Sequence, residues 1–235
     1  MKNINNKINF FAYREKKISP LLSYNNEVLK NQFSLNENNI TEIPDLLDIK
    51  SLQIDAVLVC NPSSMHFRFA FWALENGLYV FIEKPVSDKL YDFKKLMNHD
   101  LNNKVWVGLQ FRFHPLLKKI KQILEEKELG NIISASFISG EYLPDWHKYE
   151  NYEKSYAAKK NLGGGCLVTL IHEIDYATWL LGKPKSVYAI GGTLSDLKTD
   201  VEDSVQLLCA INHNNKTIPL SISLNYLQFP SKKYF

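Results

Sequence analysis

Two apolar runs separated by one helix-length segment constrain the fold of this chain more than any other feature. The first, "IDAVLVCNP", begins at Ile54, and the second, "LYVFIEKP", ends at Pro85. Continuous runs of this kind are typical of parallel strands that are covered on both faces. The segment between them, "SSMHFRFAFWALENG", has serines that can cap a helix and ends in Asn-Gly. Strand, helix and strand in this order predict a βαβ unit and therefore a parallel sheet.

The pattern extends to both sides of this unit. A short strand is predicted at residues 8–13, "INFFAY", and the strand "KVWVGLQFRF" follows a further helix after Pro85. After Pro115 the predicted elements are a helix, the strand "NIISASFISGEYL", one helix opened by Gly163–Gly165, and strands joined by short turns. Strands that follow each other through short turns favour an antiparallel sheet.

We therefore predict an α/β fold in two domains. Residues 1–110 are expected to form an incomplete Rossmann-like parallel-sheet domain that binds a dinucleotide. Residues 111–235 are expected to form an α+β domain with a mainly antiparallel open sheet, which serves the substrate and oligomerisation.

Composition and charge exclude several classes of function. No apolar run approaches the ~20 residues that span a bilayer, and the amino terminus lacks the apolar core of a signal peptide, so we expect a cytoplasmic protein without a membrane partner. The net charge is +3 and the lysines are interspersed with acids, so no nucleic-acid partner is expected. The three cysteines form no Cys-x-x-Cys pair, and no metal site is predicted.

Polar residues follow both apolar runs at the edge where an open parallel sheet binds its ligands. "CNPSSMH" follows the first run and "EKP" the second. Asn61 and His66 can contact a ligand directly. Lys84 beside apolar surface can have a depressed pKa and can pass a proton or orient a carbonyl, with Glu83 holding it in place. An Asn-Pro turn with a serine cap and a solvated Glu-Lys pair is the structural alternative, and it stays open.

A second group of candidates lies in the later half of the chain. His172 is predicted on the glycine-opened helix with Asp175 one turn later on the same face, which makes an acid/base unit. A single histidine in an apolar helix is also typical of a packed core residue. The loop that contains Trp146, His147 and Tyr156 is suited to stacking on a sugar ring, although an ordinary packed loop has the same composition.

Taken in order, "CNPSSMH", "EKP", "GLQFRFHP" and "GGGCLVTLIHEIDYATWLLG" resemble the Gfo/Idh/MocA family of NAD(P)-dependent sugar and cyclitol oxidoreductases. The resemblance implies hydride transfer between nicotinamide and a carbon of a sugar or nucleotide-linked sugar, in a setting such as bacterial surface-sugar biosynthesis. It also implies that Lys84 lies near the nicotinamide and the reacting carbon, and that His172 serves in proton transfer.

The same resemblance implies the remaining contacts. The expected cofactor is NAD or NADP, with Arg14 facing a 2′-phosphate. The expected cofactor contacts at the sheet edge are Asn61, Pro62, His66, Glu83, Lys84 and Pro85. The expected substrate contacts are Arg112, Trp146, His147 and Tyr156. A homo-oligomer through the C-terminal sheet is a further expectation.

The sequence departs from the family pattern in three places. No residue before Ile54 is glycine, so the Gly-x-Gly-x-x-Gly turn that receives the pyrophosphate is missing. The chain stops after "LNYLQFPSKKYF", where relatives continue with more sheet. Thr169 stands where relatives usually carry an aspartate, and Asp175 is the candidate substitute as a catalytic carboxylate.

These departures predict a chain truncated at both ends, with poor or lost dinucleotide affinity. Two alternatives to an active oxidoreductase stay open. The chain can be a non-catalytic sugar-binding or assembly subunit, or an inactive gene remnant.

Overall fold

The computed structural model describes residues 8–13, 40–46, 51–98 and 103–235. The chain divides into two compact units, Met1–Asp55 and Ala56–Phe235. In the first unit, β1 (Phe10–Tyr13) and β2 (Ile40–Ile43) pair in parallel, and β1 confirms the strand predicted at residues 8–13. Arg14, the predicted contact of a 2′-phosphate, lies outside the described residues.

The second unit begins with the predicted βαβ unit. Its first elements are β3 (Ala56–Val59), α1 (Ser63–Glu75), β4 (Tyr79–Ile82), α2 (Leu90–Met97) and β5 (Val105–Val107). The strands pair in parallel in the order β3-β4-β5, which confirms the Rossmann-like parallel sheet. β5 ends earlier than predicted because Gln110–Phe113 turns into a short 3-10 helix.

Elements of the second unit cover one face of this sheet. Val59, Val80 and Ile82 are buried on the face against which α1 packs. The residues of the opposite face are between 37% and 53% exposed; they are Leu58, Tyr79, Phe81 and Trp106. The prediction that both faces of these strands are covered is therefore wrong for the described residues, because α1 packs on β3 and β4 while α2 contacts α1.

The remainder of the second unit is a five-stranded sheet with helices on one side. Its elements are α3 (Pro115–Glu125), β6 (Ala135–Gly140), α4 (Cys166–Thr169), α5 (His172–Leu181), β7 (Pro184–Gly192), β8 (Ser204–His213), β9 (Lys216–Asn225) and β10 (Lys232–Tyr234). The strand order is β10-β6-β9-β8-β7, and every pairing except β6-β9 is antiparallel. This confirms the mainly antiparallel open sheet.

The β8-β9 hairpin shows how local sequence fixes this sheet. Asn214 and Asn215 form its two-residue turn, and both have positive φ, 48° and 63°. A two-residue turn of this kind matches the right-handed twist of the strands it joins, and asparagine tolerates positive φ better than other residues with a side chain. The turn therefore sets the register in which His213 faces Lys216.

The helix predicted after Gly163–Gly165 is two helices. α4 ends at Thr169, and α5 begins at His172 after a break at Leu170. Tyr176 and Ala177 of α5 are fully buried in the core that the sheet forms with these helices. The break places His172 at the first residue of α5, close to the end of α4. No helix within the described ranges is long and apolar enough to cross a membrane.

Candidate functional site

The loops that follow β3 and β4 are joined at the carboxyl edge of the parallel sheet. The Glu83 amide donates to the Val59 carbonyl over 2.9 Å. His66 lies 2.7 Å from the Asn61 carbonyl through Nε2 and 2.6 Å from the Pro85 carbonyl through Nδ1. His66 is only 2% exposed, and both of its ring nitrogens contact backbone carbonyls. Its imidazole therefore holds the two loops together.

Lys84 links the parallel sheet to the α+β half of the unit. Its Nζ donates to the backbone carbonyl of Thr169, at the end of α4, over 2.7 Å. Burial lowers the pKa of Lys84; nearby Glu83 opposes this shift, and Lys233 adds to it. The Lys84–Pro85 peptide bond is cis. The remaining Lys84 protons are available to a ligand oxygen.

The Thr169 side chain is fully engaged inside the protein. Its hydroxyl donates to the Gly165 carbonyl over 2.9 Å and lies 2.5 Å from the hydroxyl of Tyr226. Thr169 thus has neither the charge nor a free polar atom with which to orient the His172 imidazole. Its contribution to the site is the backbone carbonyl that fixes Lys84.

His172 is buried, and its charge is suppressed. The residue is 7% exposed, and its ring packs edge-on against Phe111 at a centroid distance of 4.8 Å. Burial lowers the pKa of His172 to about 4, and the positive charges of Lys84 and Lys233 add to the shift. Nδ1 has no hydrogen-bond partner among the described residues. His172 is therefore neutral near pH 7.

One cavity of about 320 Å³ brings most of the predicted catalytic and substrate residues together. Lys84 and His172 line it, as do the three aromatic residues predicted to contact a sugar, Trp146, His147 and Tyr156. Trp146 stacks edge-on with Tyr226 at 5.3 Å, and its indole Nε1 is buried with no partner among the described residues. The cavity combines an amine and an imidazole with an aromatic wall.

Three charged residues of this cavity were missed by the sequence analysis. They are Glu141 at the end of β6, Glu173 next to His172 in α5, and Lys233 in β10. The Lys233 Nζ lies 3.1 Å from Glu173 Oε1 and 3.8 Å from Glu141 Oε1. Among these three residues, only Glu173 could have been found from local sequence, because it is adjacent to His172. Lys233 lies in the cavity because β10 pairs with β6.

Arg112 and Asp175 are paired with each other and do not line the cavity. The Arg112 guanidinium donates to both carboxylate oxygens of Asp175, at 2.9 Å from Nε to Oδ2 and 2.5 Å from Nη2 to Oδ1. The Asp175 side chain is 10% exposed. The carboxylate predicted to assist His172 instead fastens the 3-10 helix at Gln110–Phe113 to α5.

Comparison of the sequence with known protein families gives two matches. Residues 12–111 match the model of the oxidoreductase family with an NAD-binding Rossmann fold, and residues 117–224 match that of the GFO/IDH/MocA C-terminal domain. The chain belongs to the GFO/IDH/MocA family. The sequence resemblance is thus confirmed, and the cofactor of the matched family is NAD.

Several curated proteins are similar in sequence to this chain over part of their length. The uncharacterized oxidoreductase YrbE of Bacillus subtilis is 31% identical over 60% of this chain and 40% of its own length. Myo-inositol 2-dehydrogenase of Thermotoga maritima is 27% identical over 68% of this chain and 47% of its own length. The chain spans about half or less of the length of the curated relatives it matches.

The fold is shared with a solved dehydrogenase structure. The WlbA dehydrogenase of Bordetella pertussis, crystallised with NADH and UDP-GlcNAcA, superposes with a TM-score of 0.73. The match covers 83% of this chain and 56% of WlbA, at 23% identity.

Proposed function

We propose that this chain contributes the substrate cavity of an NAD(P)-dependent dehydrogenase that acts on a sugar, a nucleotide-linked sugar or a cyclitol. The observation that carries the proposal is that Lys84 and His172 line one cavity together with an aromatic wall. The similar proteins myo-inositol 2-dehydrogenase and WlbA dehydrogenase support this substrate class. We also propose residues 1–110 and 111–235 as its two domains.

The two residues divide the proton handling for the oxidation of a substrate hydroxyl. His172 is neutral near pH 7 and lines the cavity, so it can accept the hydroxyl proton as the carbon is oxidised. Lys84 is fixed through its bond to the Thr169 carbonyl and donates a hydrogen bond to the same substrate oxygen as that oxygen becomes a carbonyl. Trp146, His147 and Tyr156 hold the ring of the sugar.

The residues present fit the nicotinamide end of the cofactor. The buried Asn61 Oδ1 has no partner among the described residues and lies just beyond β3, while Lys84 follows β4 at the same edge. Asn61, Pro62 and the Glu83-Lys84-Pro85 turn would therefore border the nicotinamide ribose. A bound nicotinamide supplies the acceptor of the substrate hydride. The sequence contains no Gly-x-Gly-x-x-Gly turn for the pyrophosphate.

The aromatic wall of Trp146, His147 and Tyr156 favours a second candidate function, a sugar-binding subunit without turnover. Such a subunit would use the same cavity and the aromatic wall. In either case we propose action in the cytoplasm, where nicotinamide cofactors are available. We further propose that the exposed apolar residues of the open sheet, Tyr188, Ile190 and Leu208, contact a second copy of the chain.

A dehydrogenase assay of the purified chain separates these candidates. Myo-inositol and UDP-linked sugars are offered with NAD or NADP, and nicotinamide fluorescence reports binding and turnover. We expect Lys84→Ala to lower the rate by about 10² to 10⁴, since this removes the positioned hydrogen-bond donor to the substrate oxygen. Lys119→Ala, a change to a lysine that is 55% exposed on α3, is the matched control.

An unchanged rate in the Lys84→Ala variant contradicts the catalytic role. Sugar binding without turnover in the wild-type chain, even with saturating cofactor, supports the second candidate.

A further inference from the structure

The Glu173–Lys233 pair is an unusual feature of a cavity wall. Glu173 is fully buried, yet it lines the cavity and pairs with Lys233 through Oε1. Its second oxygen, Oε2, has no hydrogen-bond partner among the described residues. A buried carboxylate oxygen without a donor is costly unless a ligand supplies one. The free oxygen therefore points to a ligand with a hydroxyl or amine proton at this position.

Lys233 is held beside that oxygen by several contacts. Its Nζ lies 3.1 Å from Glu173, 3.8 Å from Glu141 and 5.0 Å from the centre of the Phe111 ring. The side chain is 34% exposed, so its remaining protons are open to the cavity. A carboxylate and an ammonium group side by side can accept from one hydroxyl and donate to the next, which matches two neighbouring hydroxyls of a sugar.

The charges that line the cavity balance. Lys84 and Lys233 carry positive charge, Glu141 and Glu173 carry negative charge, and His172 is neutral near pH 7. Lys233 is already neutralised by its glutamate partners. A ligand carboxylate that reached Lys233 would come into contact with the Glu173 carboxylate, and two like charges at that separation repel. The cavity thus lacks an unpaired cation at this end.

We propose that the Glu173–Lys233 pair binds two neighbouring neutral hydroxyls of the sugar, one of them on the exocyclic hydroxymethyl group, and discriminates against the corresponding uronic acid. Glu173 Oε2 accepts from one hydroxyl, and Lys233 Nζ donates to its neighbour. The pair lies on the α5 and β10 side of the cavity, while Lys84 and His172 serve the reacting carbon. This inference rests on the proposed function, because it requires that the cavity bind a sugar.

Calorimetric titration of the full chain with two matched ligands tests the proposal without any need for turnover. UDP-N-acetylglucosamine and UDP-N-acetylglucosaminuronic acid differ at one carbon, which carries a neutral hydroxymethyl group in the first and a carboxylate in the second. We expect the neutral ligand to bind the wild-type chain at least about 10-fold more tightly, which corresponds to about 1.4 kcal/mol.

If the pair recognises the charge of the ligand, two variants of the pair change the ratio of the two affinities in opposite directions. Glu173→Gln releases Lys233 and is expected to improve the relative affinity for the acid by about 10-fold. Lys233→Met leaves both glutamates uncompensated and is expected to weaken binding of the acid further. A merely structural role of the pair would move the ratio of the two affinities in the same direction in both variants. Glu125→Gln, in the surface pair with Lys121, is the control and leaves the ratio unchanged.

Each result decides a different claim. Tighter or equal binding of the acid by the wild-type chain overturns the charge selection while leaving the sugar cavity in place. Failure of both ligands to bind overturns the sugar cavity and the inference with it. Where Glu173→Gln does not fold, Glu141→Gln, at a side chain that is 30% exposed, releases the same lysine and is expected to shift the ratio in the same direction.

Discussion

At the scale of single residues, the imidazole of His172 is the group whose charge the fold suppresses most clearly. Burial and two nearby lysines lower its pKa from 6.5 to about 4. Between these two values the unfolded chain binds a proton at His172 that the folded chain does not bind. The free energy of unfolding therefore rises with pH through this range, and this contribution is lost as the pH falls from 6.5 through 4.

This shift predicts a pH-dependent stability difference between the wild-type chain and His172→Asn. Relative to the variant, the wild-type chain is expected to lose up to about 3 kcal/mol of unfolding free energy between pH 7 and pH 4. Urea unfolding of both proteins across this pH range measures the difference. A difference that does not vary with pH would show that the imidazole titrates in the folded chain as it does in the unfolded one.

The fate of Asp175 shows what residue spacing can and cannot predict. Its position three residues after His172 predicts that the two share a helix face, and α5 contains both. The stronger partner is Arg112, which is remote in sequence and binds both carboxylate oxygens. A bidentate charge-assisted pair outweighs proximity to a neutral imidazole, and helical periodicity carries no information about such a remote partner.

At the scale of elements, the segment from Gly163 to His172 determines the shape of the site. Gly165 has φ +112°, a conformation that side chains rarely adopt, and it opens α4. The carbonyl of Thr169, at the end of α4, accepts a hydrogen bond from Lys84. The break before α5 places His172 in the same cavity. The glycine run predicted a helix start, but the break at Leu170 carries no proline or glycine to mark it.

A pair of glycine substitutions tests this role. At Gly164 a Cβ atom would lie 2.5 Å from the carbonyl oxygens of both Tyr156 and Ala157, so Gly164→Ala forces two backbone segments apart. We expect it to lower the free energy of unfolding by about 1–3 kcal/mol and to weaken sugar binding. At Gly192 a Cβ atom would make an ordinary 3.7 Å contact with Leu194.

Gly192→Ala is thus the matched control and should change stability by no more than about 0.5 kcal/mol. Denaturant unfolding and sugar titration of both variants give the comparison. Equal free energies of unfolding of the two variants would mean that the backbone around Gly164 accommodates a methyl group without loss of stability.

At the scale of the whole molecule, local sequence patterns predicted the helices and strands. Contacts between residues that are remote in sequence bring the cavity residues together. The parallel strands, the antiparallel sheet and the meeting of the two loops after β3 and β4 all follow from apolar runs and turn residues. The placement of Lys84 and His172 in one cavity was predictable only through the family resemblance. Lys233 was not predictable, because the register of β10 on β6 depends on tertiary packing.

Histidine side-chain NMR tests whether the cavity that Lys84 and His172 line together binds a sugar. During titration with UDP-N-acetylglucosamine, the ring signals of His172 and His147 are expected to shift together and saturably. The signal of His213, in the β8-β9 hairpin, is expected to stay fixed. Ligand binding that leaves the His172 signal unchanged, or no binding at all, would contradict the account.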